Sequence, residues 1–234
     1  MILVQKQVHY AFTKDLGFAK EGLIRIPLGD HNYTLFRQEA QKSPYVISVS
    51  GAMWMPPHSN HMRINMPMVN EPDKMVGVDG LFVDYGFATT MGIKILKGSD
   101  FDETSMHEGV LVNELAAKAL GLKEAVGEKT VFGTVVGVVD NFNMYSLHEA
   151  VNPLIIGLNQ SMCRDIAVRI RGNDIPRAIE SLKKIWAESG GTTPFEFEFT
   201  NDILKRIYES HMRFSGIAGL LAVIAMIIGA LGLV

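Results

Sequence analysis

The feature that most constrains this chain is where its charges stop. All of its Lys, Arg, Asp and Glu lie in residues 1–213, and Phe214 to Val234 (FSGIAGLLAVIAMIIGALGLV) holds none. A helix of that length reaches about 31 Å at 1.5 Å per residue, close to the hydrocarbon thickness of a bilayer. A buried core helix rarely stays apolar on every side for so long, and the position excludes an N-terminal signal peptide. The segment is therefore predicted to be a transmembrane helix. The apolar run is still continuing at the last residue, so the sequence reads as a piece of a longer membrane protein. The opening MILVQKQV is too briefly apolar to cross anything. Within the tail, Ala218, Ala222, Ala225 and Gly229 recur at spacings of three and four. That places small side chains along one helix face, where a second membrane helix can approach closely.

The first 213 residues read as a mixed α+β globular region. Helices are expected over His31–Lys42, Asp84–Met91 (capped by Asp84 and stopped by Gly92), Asn113–Leu120 and Asp174–Glu188. In the last of these, Ile175, Ala178, Ile179, Leu182, Ile185 and Trp186 form one apolar stripe. Strands are expected over Tyr45–Val49, Lys74–Val83, Val110–Val112, Thr130–Val139, Leu154–Leu158 and Asp165–Ile170, with Phe195, Phe197 and Phe199 alternating in a final one. Ile203, Leu204, Ile207 and Tyr208 begin a further helix with no breaker before Phe214. It should run directly into the membrane as a rigid link.

Composition removes several function classes. The net charge of -3 gives no basic excess for neutralising phosphates, so a nucleic-acid partner is not expected. One cysteine, Cys163, allows no internal disulfide and no cysteine-based zinc site. Gly127-Glu128-Lys129-Thr130 resembles the end of a phosphate-binding loop, but the spacing from Gly121 is one residue too long and Glu128 intervenes. No GxSxG or HExxH motif occurs, and Asp140, His148 and Glu149 read as loop residues rather than an acid–base set. No catalytic or cofactor-binding residue is expected. The one chemically unusual stretch is Met53–Met68 (MWMPPHSNHMRINMPM), with five methionines and two histidines. Thioether and imidazole suit Cu(I), which makes His58, His61 and Met62 candidate metal ligands, against the plainer reading of a loop with gap-filling methionines.

The order of short motifs resembles a known family. Lys14-Asp15-Leu16-Gly17-Phe18 is followed by Val83-Asp84-Tyr85-Gly86-Phe87, Met91-Gly92-Ile93 and Gly98. Then come Val112-Asn113-Glu114, Ala116-Ala117, Leu120-Gly121-Leu122, Val136-Gly137-Val138-Val139-Asp140 and Ser146-Leu147-His148-Glu149 before Pro153. Trp186, Pro194-Phe195-Glu196 and Tyr208 precede the apolar tail. Each motif is weak alone, but their collinear order from Lys14 to Val234 resembles the FtsX-like ABC transporter permeases with a MacB-like periplasmic core domain, of the two-repeat kind common in Bacteroidetes-type bacteria. One departure is Asp140-Asn141-Phe142-Asn143, where Asp-Phe is expected directly after the valines.

The resemblance implies a two-lobed extracytoplasmic domain over 1–213. An α/β lobe would combine about 21–80 and 159–200, a mostly-β lobe of about 81–158 would be inserted in it, and 214–234 would start a transmembrane helix. It further implies a non-catalytic permease subunit of the bacterial inner membrane. Such a subunit works with a cytoplasmic ABC ATPase on a separate chain, a second permease copy and a periplasmic or outer-membrane partner. Its function would be mechanotransmission: coupling ATP-driven motion to efflux, export or release outside the membrane. The alternative is a membrane-tethered binding or sensor domain, with metal as one possible ligand.

Overall fold

The structure, a computed structural model, describes residues 16–19, 21–103, 109–145 and 149–206. The chain divides into two units, one of Asp15–Thr200 and one of Met1–Lys14 with Asn201–Val234. In the second unit only 201–206 are described, and they are helical. The expected span at 214–234 and its small-residue face lie outside the described residues. Among those that are described, no helix is long and apolar enough to cross a membrane.

The larger unit is mixed α+β, as the periodicity predicts. Its strands are β1 (Leu23–Pro27), β2 (Val46–Ala52), β3 (Arg63–Pro67), β4 (Met75–Val83), β5 (Ile95–Gly98), β6 (Gly109–Asn113), β7 (Lys129–Thr130), β8 (Gly133–Val139), β9 (Leu154–Leu158), β10 (Asp165–Ile170) and β11 (Glu198–Phe199). They form one sheet in the order β11-β1-β10-β2-β4-β9-β6-β8-β5, with β3 on β4 and β7 on β8. Only β4–β9 and β6–β8 pair in parallel. The helices are α1 (Tyr33–Lys42), α2 (Phe87–Met91), α3 (Glu114–Ala119) and α4 (Ile175–Glu188).

Local chemistry explains the helix ends. Asn32 accepts the Leu35 amide to open α1, and Asp174 accepts that of Arg177 to open α4, with Pro176 in the first turn. Asn113 is fully buried and has three bonds. Its Oδ1 accepts the Ala116 amide at 2.8 Å, capping α3, and the Leu154 amide at 2.9 Å, while its Nδ2 donates to Asn152 O. One side chain thus joins β6, α3 and β9.

Three expectations change. Asp84 does not cap α2; Gly86 does, in the left-handed region at φ 66°, and Asp84 is withdrawn into the core. Thr130–Val139 is not one strand. It turns at Val131-Phe132, where the Thr130 hydroxyl donates to Gly133 O and accepts the Phe132 amide. Of the Phe195–Phe199 alternation only Glu198–Phe199 pairs with β1.

Each half of the sheet carries its own apolar cluster. Under β1, β10 and β2 lie Ile24, Phe36, Val49, Ile166, Leu182 and Trp186, where α1 and α4 pack. Around β4, β9, β6 and β8 lie Met66, Val78, Val110, Ala116, Val135 and Ile155, where α3 packs. Three members of the predicted α4 stripe, Ala178, Leu182 and Trp186, are buried, Ile179 and Ile185 are half-buried, and Ile175 stays exposed at the helix start.

Candidate functional site

Near the middle of the sheet, two buried carboxylates each gather several long-range polar contacts. Asp79, on β4, accepts Arg63 Nη1 at 3.1 Å, Tyr145 Oη at 3.1 Å and Asn152 Nδ2 at 2.9 Å. Burial, and then the adjacent Asp79 charge, push the Tyr145 phenol upward, so it remains a donor at any ordinary pH. Asp84, just past β4, has its Oδ1 bonded by Gln160 Nε2 at 2.6 Å. Its Oδ2 accepts Tyr33 Oη and faces Arg37 Nε at 2.9 Å. Burial chiefly, with Asp84 second, raises the Tyr33 phenol as well. A third carboxylate, Asp165, takes Arg25 Nη2 at 2.8 Å and the Met55 amide at 2.9 Å, and burial raises its pKa despite the arginine.

The methionine-rich segment folds against the first of these. His61 stacks on the Tyr145 ring with 4.0 Å between centroids, and His58 meets the same ring edge-on at 5.3 Å. Met62 does not join them: its carbonyl accepts the Gly80 amide, and its side chain lies over Gly80, where a Cβ would come within 2.5 Å of Met62 Cε. Met62 instead borders an apolar cleft of about 200 Å³ shared with Leu81, Val110 and Phe132. The two histidine candidates are thus brought to one aromatic ring, and the methionine to a different surface. Among the described residues no three His, Cys, Asp or Glu side chains are placed to share a metal ion.

Both ring nitrogens of His58 are buried without a hydrogen-bond partner. Burial holds its pKa down, from the ordinary 6.5 to about 4. The unfolded chain therefore binds a proton that the folded one refuses between those values. This contribution to stability is full above about 6.5 and is lost as pH drops through the window, roughly 3 kcal/mol by linkage. Denaturant titrations at pH 7 and pH 4.5 should show this loss, and His58→Phe should largely flatten it. An equal loss in His58→Phe would place the proton elsewhere.

The loop that resembles a phosphate cradle proves to be occupied from within. Backbone amides of Lys123, Glu124 and Ala125 all donate to Glu128 Oε1 at 2.8–2.9 Å, and these bonds, that of Ala125 foremost, hold the Glu128 carboxyl below its usual range. The intervening Glu128, which spoils the sequence motif, is itself the anion in the cradle. Asp140 accepts only a local bond from the Asn141 amide, and His148 lies outside the described residues.

No family model matches the chain. No curated protein matches it either. Solved structures do. The periplasmic region of MacB from Actinobacillus actinomycetemcomitans superposes with a TM-score of 0.56 at 16% identity, over 84% of this chain and 97% of that one. The chain has the MacB periplasmic-domain fold. The same MacB-like fold extends to a domain described as part of a permease protein from Porphyromonas gingivalis, with a TM-score of 0.52 and 13% identity over 77% of this chain and 90% of that one. It extends also to the extracellular domain of the noncanonic ABC-type transporter YknZ from Gram-positive bacteria, at 0.50 and 10% over 74% and 99%. Within this MacB-like fold the quoted motifs have physical roles. Asn113 is the three-way tie described above. Gly98 stands at φ 73°, where an added Cβ would collide with Val136 O.

Proposed function

We propose that this chain is the extracytoplasmic part of an ABC transporter permease subunit, coupling ATP-driven motion of a cytoplasmic ATPase to export or release on the periplasmic side. One observation carries the reading: the likeness to the MacB periplasmic region takes in nearly the whole of that domain and most of this chain. In this reading 1–213 lie outside the bacterial inner membrane and 214–234 cross it. Ala218, Ala222, Ala225 and Gly229 would face another membrane helix, and a second permease copy would complete the dimer. The two lobes, about 21–80 with 159–200 and about 81–158, belong to the same proposal. The separate apolar clusters support a two-lobed body, with Met66 and Val78 packed on the side of the second.

The subunit itself is read as non-catalytic. Purified chain should show no saturable ATP binding at micromolar concentrations in equilibrium dialysis, because Glu128 already fills the loop that resembles a phosphate cradle. Permease isolated from its native membrane should instead bring with it a stoichiometric P-loop ATPase. Saturable micromolar binding by the chain alone overturns the non-catalytic assignment. Active permease that purifies without any ATPase overturns the coupling reading and favours a tethered sensor.

A further inference from the structure

We propose that the join between the two half-sheets is a hinge, and that the buried Asp84 carboxylate is the latch holding it at one angle. This stands on the fold alone and needs no ATPase partner. β10 pairs with β2 along its whole length, Asp165–Ile170 against Val46–Ala52, and β4 pairs with β9 over Asp79–Val83 and Leu154–Leu158. Between these two ladders, β2 and β4 share a single register pair, Ala52 with Val83. Two backbone bonds cross between β2 and β4 at that level, Met53 N to Phe82 O at 2.8 Å and Asp84 N to Gly51 O at 2.9 Å. An apolar cluster lies to either side of it, one on β1, β10 and β2 and the other on β4, β9, β6 and β8. Helix α2 travels with the first half, since Arg169 Nε and Nη2 donate to Thr90 O at 2.8 and 2.6 Å. One register pair between two longer ladders is where a sheet of this kind would bend as a hinge.

Asp84 is the first residue beyond that line and is fully buried. Every group that holds it comes from the other side or from the return crossing. Tyr33 and Arg37 reach it from α1, Ser50 Oγ bonds its carbonyl from β2 at 3.3 Å, and Gln160 reaches it from the segment between β9 and β10. A buried carboxylate cannot give up these partners gradually without standing uncompensated in a low-dielectric site. The join should therefore have a latched arrangement and a released one, rather than a continuum. Asp84→Asn keeps the shape and removes the charge, and Tyr33→Phe removes one donor.

Spin labels report the angle directly. One pair spans the join, on Ile47→Cys of β2 and Met75→Cys of β4, both exposed at 55% and 56%. A control pair lies within the first half, on Ile47→Cys and Lys184→Cys of α4, and Cys163, which is buried, is replaced by Ser in all samples. Electron–electron distance measurements on the whole chain in detergent should give narrow distributions for both pairs in the parent. Asp84→Asn should widen the spanning distribution about twofold or add a second peak, with the control pair unchanged. Tyr33→Phe should widen the same pair by less. Should Asp84→Asn fail to fold, Tyr33→Phe decides the matter on the same two pairs. Equal widening of both pairs means general loosening and overturns the hinge, and an unchanged spanning pair overturns the latch.

Discussion

Replacing Trp186 by Ala should lower stability by roughly 3–5 kcal/mol, the usual range for deleting a large core aromatic. The ring is 2% exposed and packs on three others: His31 stacked at 3.9 Å, Phe36 edge-on at 5.4 Å and Phe195 at 5.9 Å. Its Nε1 also donates to Thr193 O at 2.9 Å. That carbonyl is shared with His31 Nε2, whose Nδ1 lies 2.9 Å from Ser189 Oγ. Next to it, Asp30 accepts both the amides and the hydroxyls of Thr192 and Thr193, which keep its carboxyl well below the ordinary range. Trp186 thus sits where α4, α1 and the return from α4 are tied together, and the surrounding structure has little freedom to fill the cavity left by its loss. In a domain of this size the loss corresponds to a fall in melting temperature of about 10 °C. Trp186→Phe, which keeps an aromatic ring and loses the Nε1 bond, should cost about 1–2 kcal/mol. Thermal melts followed by circular dichroism give both values. A shift of only a degree or two for Trp186→Ala would mean that the helix face is misassigned.

What was legible in the sequence was whatever is decided locally. α4 is announced by Asn173 or Asp174 as a cap, a proline in its first turn and a 3.6-residue apolar period, and α1 by the Tyr33, Phe36 and Ala40 face and the closing Pro44. Leu154–Leu158 and Asp165–Ile170 are short apolar runs, and both are strands where expected. The failures have physical causes. Val131 and Phe132 favour strands by intrinsic preference, yet they form an exposed turn because Gly133 follows at φ 140° and the Thr130 hydroxyl closes the hairpin. β1 and β3 are brief and half-polar, and they become strands through partners 140 and 16 residues away, as Arg25 to Asp165 and Arg63 to Asp79 illustrate. Asp84 was the most consequential misreading. An aspartate ahead of a short helix fits a cap as well as it fits a buried ion-pair partner. The difference lies in Tyr33, Arg37 and Gln160, which are 51, 47 and 76 positions distant in sequence and invisible to any local window. Glu128 was read correctly as an obstacle to phosphate binding but not as the group that fills the loop.

The largest functional effect is expected from breaking the connection to the membrane. No proline occurs from Asp202 to Val234, and the first glycine in that interval is Gly216, already inside the apolar run. Under the coupling reading, that uninterrupted stretch is the rod between the span and the domain, and a rod transmits displacement only while it is stiff. Inserting Gly-Gly-Pro between Glu209 and Ser210 should destroy stiffness, since proline deletes a helical hydrogen bond and its ring clashes with the preceding turn. Both apolar clusters lie before residue 200, so the domain itself should fold as before, with an unchanged melting temperature. Basal ATP hydrolysis by the partner subunit should also persist, because the same reading puts the ATPase on the other side of the bilayer. The transport-linked phenotype should vanish. A single inserted alanine is the matched control: it rotates the helix by about 100° and lengthens it by about 1.5 Å while keeping it rigid, and should harm less if stiffness rather than phase is required. Loss of function in both variants would point to a fixed rotational register across the membrane. Full activity of the Gly-Gly-Pro permease, measured in the membrane at parental abundance, would remove mechanical coupling as the function of this domain and leave a tethered binding domain as the better account.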